Sequence, residues 1–313
     1  MTEHYIPLRV NRDFGDIVTT YFDFFKQNIK KFTNVFLSYN GIFLIGLLIV
    51  SYLLVSGFMG VIAYENSYTY GVAREPMDEK YFMLVGLGGI LFLVIFIMVA
   101  VLNYGLASSY MIQYETNKGR GFTKKQVWNY VKGQFGNVVL FIILAIPIFL
   151  AYLIISVIFA FIPLVGIFVN YTAQFFMSAW LGVSFFDMLQ NKKGVTDAFG
   201  EGWNLVTKNF WRSIGVNFVL GLLIGILTII TFIVPGVIVG VYTFHVVENE
   251  VAYSTSIVAT IVYTMGTCLF LVILVYGQCL SQFVNGILYY ALHEKTYNIH
   301  TRGKIEQIGS TEQ

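Results

Sequence analysis

Six uncharged amides lie in stretches that are otherwise apolar: Asn103, Asn170, Gln174, Gln278, Gln282 and Asn285. Gln174 follows Asn170 by four residues and Gln282 follows Gln278 by four, so each pair shares a helix face. Such groups bond helices to one another, at about 0.6 kcal/mol per contact, or they line a polar cavity. Both readings stand at this point. No Asp, Glu, Lys or Arg falls in the middle of an apolar stretch. Asp187 closes one stretch and Glu115 follows another. Intramembrane carboxylates and bases mark proton relays and ion-coupled transport, so their absence speaks against that chemistry and leaves a facilitator for a neutral or lipid-like substrate. "HVVENE" sets His245 near Glu248 and Glu250, but zinc needs further ligands in fixed geometry, and a solvated acidic loop is the simpler reading. His4, His293 and His300 have no partner pattern. Cys268 and Cys279 read as two small apolar side chains. Nucleophile elbow, P-loop, HExxH and paired carboxylates are all absent from the sequence. We therefore expect no catalytic, metal or cofactor residues, and rate Asp187 or Glu115 acting on a lipid at the interface as remote.

The elements that must carry these residues are membrane spans. Hydrophobic residues make up 57% of the chain and charged residues only 12%, about half the charge of a soluble domain. Crossing a hydrocarbon core takes about 20 apolar residues, and the pattern predicts six such spans, at 41–63, 82–112, 138–161, 166–187, 213–244 and 256–291. The third and fourth meet at the Pro-Gly turn "FIPLVG", and Pro147 is expected to kink the third without ending it. No cleaved leader is expected, because "MTEHYIPLRVNRDFGD" has no apolar core. Of the 19 Lys and Arg residues, 17 fall on one side of these spans, and only Arg74 and Lys80 on the other. By the positive-inside rule both termini are cytoplasmic.

Three short segments share one design. In "GVTDAFGEGWNLVTKNFW", Phe199, Trp203, Val206 and Phe210 form one helical face. Val18, Phe22, Phe25 and Ile29 repeat it near the N-terminus, and Trp128, Val131 and Phe135 repeat it more weakly. In that weaker copy Thr123 and Gln126 have capping-box spacing. In register, Phe22, Trp128 and Trp203 correspond, as do Asn28, Gln134 and Asn209. Each copy precedes an odd-numbered span on the basic side. Aromatic faces with Lys and Arg flanks suit helices in the membrane interface, with rings at headgroup level; a docking surface for a cytoplasmic protein is the rival reading. The expected fold is thus an all-α integral membrane protein. Its six transmembrane helices form three repeated units, each an interfacial amphipathic helix followed by a transmembrane hairpin, at about 12–112, 122–187 and 195–291. Together they make a single domain over 1–313 with a short cytoplasmic tail at 293–313.

Gly221 with Gly225 and Gly236 with Gly240 make two GxxxG pairs, and Gly105 with Ser109 and Ser178 with Gly182 repeat the small-residue theme. The pairing of "FGDIVTTYFDFFKQNIKKF" before the first span with the later "DAFGEGWNLVTKNFWRSIG" resembles a broad group of prokaryotic six-span proteins. That group includes the membrane domain fused to some glycerophosphodiester phosphodiesterases. The resemblance implies a cytoplasmic-membrane protein with an envelope or lipid connection, and it carries over no catalytic residues. The expected role is a non-catalytic, lipid-interacting scaffold or accessory subunit of the inner membrane, with a transporter or channel for a neutral or amphipathic substrate as the alternative. Expected partners are membrane lipids and either a membrane protein or a second copy of this chain, and no nucleic acid.

Overall fold

The structure, a computed structural model, describes residues 5–69, 79–248 and 256–299. Among these residues every regular element is a helix. In chain order they are α1 (Phe14–Thr69), α2 (Glu79–Thr116), α3 (Lys124–Gly133), α4 (Phe135–Ala160), α5 (Val165–Asn191), α6 (Val195–Lys208), α7 (Phe210–Glu248) and α8 (Ile257–Tyr297). Five of them, α1, α2, α4, α7 and α8, are long and apolar enough to cross a membrane, the character of a multi-pass membrane protein. The predicted fourth span is helical as α5, but Asn170, Gln174 and Asp187 dilute its apolar content and it does not join those five.

Local chemistry sets the boundaries. Thr123 and Gln126 close the expected capping box: the Thr123 N–H donates to Gln126 Oε1 at 2.7 Å, and the Gln126 N–H to Thr123 Oγ1 at 3.3 Å. The turn after α4 brings the Gly166 N–H to the Ile162 carbonyl at 2.8 Å. A Cβ on Gly166 would sit 1.8 Å from the Phe159 carbonyl oxygen, so only glycine fits this tight return. Pro147 lies inside α4, which continues past it, and Pro235 lies likewise inside α7.

The amphipathic segments join their spans in two different ways. Single residues outside helical geometry, Gln134 and Asn209, separate α3 from α4 and α6 from α7. The corresponding Asn28 causes no break, and α1 is one helix of 56 residues. Asn28 and Asn209 nevertheless use their side chains alike. Each Nδ2 donates to the carbonyl four residues earlier, Phe24 O at 2.9 Å and Leu205 O at 3.1 Å.

The chain divides into two compact units. The first gathers Met1–Phe36, Asn103–Ile224 and Cys279–Gln313, and the second Leu37–Leu102 and Gly225–Gln278. The core of the first unit is built from the ends of α2, α5 and α8, where Leu106, Tyr110, Met111, Val183, Phe186, Met188, Ile287 and Leu288 are all fully or almost fully buried. Helices buried all round are unlike surface helices with a single apolar stripe. In the second unit glycines let helices close up: Gly57 and Gly60 of α1 admit Val85 and Tyr81 of α2. Phe232 of α7 stacks on Phe270 of α8 at 4.4 Å. Ile42, Ile90, Ile229 and Val258 stay exposed, as a lipid-facing surface requires.

Charge separates along the same division. Among the described residues, every Lys and Arg except Lys80 belongs to the first unit.

Candidate functional site

The first unit holds the polar chemistry, in four arrangements. The first is a seam of uncharged groups between α2, α5 and α8. Gln282 Nε2 donates to Ser108 Oγ at 2.8 Å and to the Gly182 carbonyl at 3.4 Å. Asn285 packs so closely on Gly182 that a Cβ there would lie 1.9 Å from its Nδ2. Gln282 and Asn285 are buried, and Gln282 Oε1, Asn285 Oδ1, Ser109 Oγ and Ser184 Oγ have no hydrogen-bond partner. Small residues at these positions let the amides reach a neighbouring backbone.

The second arrangement surrounds Asp187, which is wholly buried near the end of α5. Its Oδ1 accepts from Asn191 Nδ2 at 2.5 Å and from the Tyr289 hydroxyl at 3.0 Å, and its Oδ2 faces Lys193 Nζ at 3.4 Å. A buried carboxylate needs such partners because it has left water. Tyr297, further along α8, donates to Glu201 of α6 at 2.8 Å. Sequence reasoning met Asp187 as an isolated carboxylate at the end of a span. It had no signal for Tyr289, 102 residues away, or for the Lys193 ion pair.

The third is a strap of irregular chain ahead of α1. Tyr5 donates its hydroxyl and Leu8 its backbone N–H to Glu115 Oε2, at 2.8 and 2.9 Å. The Ile6 N–H donates to the Tyr114 hydroxyl at 2.9 Å, and Leu8 is fully buried. Arg12 turns back to donate to the Pro7 and Leu8 carbonyls. Burial draws its guanidinium below the usual arginine range, against the pull of Glu115 and Asp16. Burial also raises the Tyr5 phenol above its ordinary value, and the Glu115 carboxylate raises it further. Arg9 lies over the Tyr290 ring at 5.4 Å, and Arg212 of α7 donates to the Arg12 carbonyl at 3.1 Å and pairs with Asp13 at 3.2 Å. Asp187 and Glu115, the two carboxylates considered for chemistry, are thus both engaged by protein donors.

Two of the amphipathic segments, in α1 and α6, carry two adjacent stripes. In α1 the buried stripe is Ile17, Tyr21, Phe24, Asn28 and Phe32; in α6 and the start of α7 it is Ala198, Leu205, Asn209 and Ser213. The stripes named from sequence lie one residue further on. There Phe22 and Trp203 are exposed by 44% and 48%, Phe25, Trp128 and Phe210 are half-buried, and Val131 and Val206 are buried. Trp203 meets the rings of Trp180 at 5.0 Å and Phe176 at 5.2 Å, which hold it at the surface of the unit.

The fourth arrangement is a cavity of about 100 Å³ lined by Gln174, Phe175, Ser178, Asn217, Gly221, Ile224, Ser281 and Val284. Of the six amides singled out from sequence, Gln174 is the one that lines it. Asn103 is buried, with its carbonyl accepting from Cys279 Sγ at 3.9 Å, and Asn170 Nδ2 donates to the Ser156 carbonyl at 3.2 Å. Gln278 is half-buried and belongs to the second unit. The sequence reading missed Asn217, which has no amide four positions away, and Ser281, a small hydroxyl overshadowed by its neighbour Gln282.

Among the described residues, no group of three or more His, Cys, Asp and Glu is arranged to hold a metal ion. Glu250 and the side chains of His245 and Glu248 lie outside the described residues. Cys268 and Cys279 are both free thiols. Set against known protein families, curated proteins and solved structures, the chain matches none.

Proposed function

We propose that the protein is a non-catalytic, multi-pass protein of the cytoplasmic membrane, a lipid-interacting scaffold or accessory subunit of the envelope. In this reading α5 is a sixth span, both termini are cytoplasmic, and three units repeat an amphipathic helix followed by a hairpin. The observation that carries it is the segregation of cations. All described Lys and Arg residues but Lys80 share one unit with the exposed aromatic residues Phe22, Trp203 and Trp211. Such a surface matches the headgroup layer of an anionic leaflet.

Burial in the proposed register supports the repeat. Phe32, Val138 and Ser213 are all fully buried, and Val35, Phe141 and Val216, three residues on, are nearly so. Contacts within the first unit support a common side for the termini, since the strap ahead of α1 touches the end of α2, the start of α7 and the end of α8. A transporter of neutral or amphipathic substrates is the second reading, favoured by the cavity at Gln174.

Gentle extraction from the native membrane, with mass spectrometry of what co-purifies, tests the role. A stoichiometric protein partner identifies an accessory subunit, and an enriched lipid without a partner identifies lipid handling. Co-purification of neither refutes the scaffold. Cysteines introduced at positions 75 and 193 test the sidedness: labelling of residue 75 from the cytoplasm would overturn it.

A further inference from the structure

The cavity beside α5 has the composition of a ligand site. Gln174 and Ser178 of α5, Asn217 of α7 and Ser281 of α8 supply four neutral polar side chains, set among Phe175, Ile224 and Val284. Their hydrogen bonds are only partly used. The Ser178 hydroxyl donates to Asn217 Oδ1 at 3.1 Å, and Asn217 Nδ2 donates one hydrogen to the Ser213 carbonyl at 3.2 Å. A primary amide has two donor hydrogens and two acceptor lone pairs, so Asn217 keeps a second donor hydrogen. Gln174 has the full set and is exposed.

Position along the helix makes this costly. Gln174 is nine residues into α5, about 14 Å along its axis, which is close to half of a hydrocarbon core of about 30 Å. With α5 as a span, an amide without partners at that depth is strongly disfavoured. A ligand able both to donate and to accept satisfies it.

The cavity also restricts what that ligand is. No charged group lines it, so a phosphate, carboxylate or ammonium would be buried without a counter-charge. Its volume of about 100 Å³ is below the roughly 150 Å³ that accepts benzene, too small for a sugar or a whole headgroup. A hydroxyl with the first carbons of its chain fits. Gln174 and Gly221 are both exposed at its edge, and Gly221 leaves its Cβ position 3.7 Å from the Phe175 ring, its nearest neighbour. With α5 as a span, as proposed above, the opening faces the lipid tails.

We propose that this cavity binds the hydroxyl end of an uncharged long-chain amphiphile entering sideways from the bilayer, with Gln174 and Asn217 as its hydrogen-bonding residues. The proposal rests on α5 lying in the membrane and is independent of the scaffold role.

The test uses the full-length protein in vesicles of a neutral phospholipid, with a photoactivatable diazirine hexadecanol as probe. The matching diazirine hexadecane and hexadecanoic acid serve as controls, and crosslinked residues are mapped by mass spectrometry. The expected result is hydroxyl-dependent labelling of α5, α7 or α8 beside the cavity, at least five-fold above the alkane and the acid. Excess unlabelled hexadecanol should compete it away. Gln174→Leu should reduce that labelling several-fold, and Gly221→Phe, which fills the mouth, should abolish it, with an unchanged melting temperature showing that each variant is folded. Equal labelling by alcohol and alkane would overturn the proposal and leave the cavity to water. Preferred labelling by the acid would overturn the uncharged class. Labelling of residue 174 from the aqueous phase by a membrane-impermeant reagent, after Gln174→Cys, would instead remove α5 from the membrane.

Discussion

Gly200 and Gly202 stand two residues apart on α6, and the structure gives them opposite fates. A Cβ on Gly200 meets nothing within 4 Å, whereas one on Gly202 would lie 2.0 Å from Ser184 Oγ, 2.9 Å from Ser184 N and 3.0 Å from Ser184 Cα. Replacing either by alanine brings the same gain in helix propensity, up to about 1 kcal/mol. The difference between the two variants therefore isolates packing. The Ser184 hydroxyl can rotate, but its N and Cα belong to the backbone of α5, which is buried all round at that level. Carbon atoms rest about 3.5–4.0 Å apart, so α6 must retreat from α5 by roughly half an ångström or more. Overpacking of this kind costs about 1–3 kcal/mol. For a chain of this size that corresponds to roughly 2–6 °C in melting temperature. The assay is a thermal melt of purified Gly200→Ala and Gly202→Ala in one detergent. Gly200→Ala should melt at or slightly above the parent, and Gly202→Ala a few degrees below Gly200→Ala. Adding Ser184→Ala should recover part of the loss, since it removes the hydroxyl contact and leaves the backbone contacts. If Gly202→Ala melts at or above Gly200→Ala, the close approach of α5 and α6 is refuted.

Ser184→Ala alone should be neutral or stabilising by about 1 kcal/mol, because its buried hydroxyl has no hydrogen-bond partner; a melt lowered by several degrees contradicts this. Asp187→Ala removes a buried acceptor from Tyr289 and Asn191 and should cost roughly 3 kcal/mol. Lys193→Ala, acting on a half-exposed ammonium, should cost less than about 1 kcal/mol, and equal losses in the two melts would show that the ion pair dominates. Glu115→Ala takes away the acceptor shared by Tyr5 and Leu8. Residues 5–13 should then be cut by a protease at least ten-fold faster while cleavage elsewhere is unchanged, and an unchanged rate would show that Leu8 alone holds the strap.

The helices were readable because apolar runs and the 3.6-residue period are properties of local sequence. Four of the six predicted spans lie wholly within helices and the other two overrun a helix end by one residue, while the second and third amphipathic segments are each interrupted once, at Gln134 and Asn209. The orientation of the amphipathic segments was harder to read. Tyr21 with Phe22 and Phe24 with Phe25 put aromatic residues on neighbouring stripes, and a periodicity cannot tell which apolar stripe is buried in the protein and which stays exposed. Nor does it tell that Asn28 continues a helix while Asn209 interrupts one. What the amides do is decided by their neighbours, which a single sequence does not show: Gln282 bonds to Ser108 on another helix, while Gln174 opens on a cavity. The strap at 5–13 has no periodicity, and its partners Tyr114 and Glu115 follow more than a hundred residues later.

That separation in sequence bears on how the chain is made. Synthesis runs from N- to C-terminus, so Tyr5 and Leu8 leave the ribosome well before the residues they bond. Their acceptor Glu115 exists only after α2 has been synthesised, the Arg212 contacts only after α7 has begun, and the Tyr290 contact only once α8 is nearly complete. The strap, translated ahead of α1, is thus fully fixed only after α8. A chain that ends after α2 therefore has the Glu115 acceptor for Tyr5 and Leu8 but still lacks the Arg9–Tyr290 and Arg212 contacts that complete the lock.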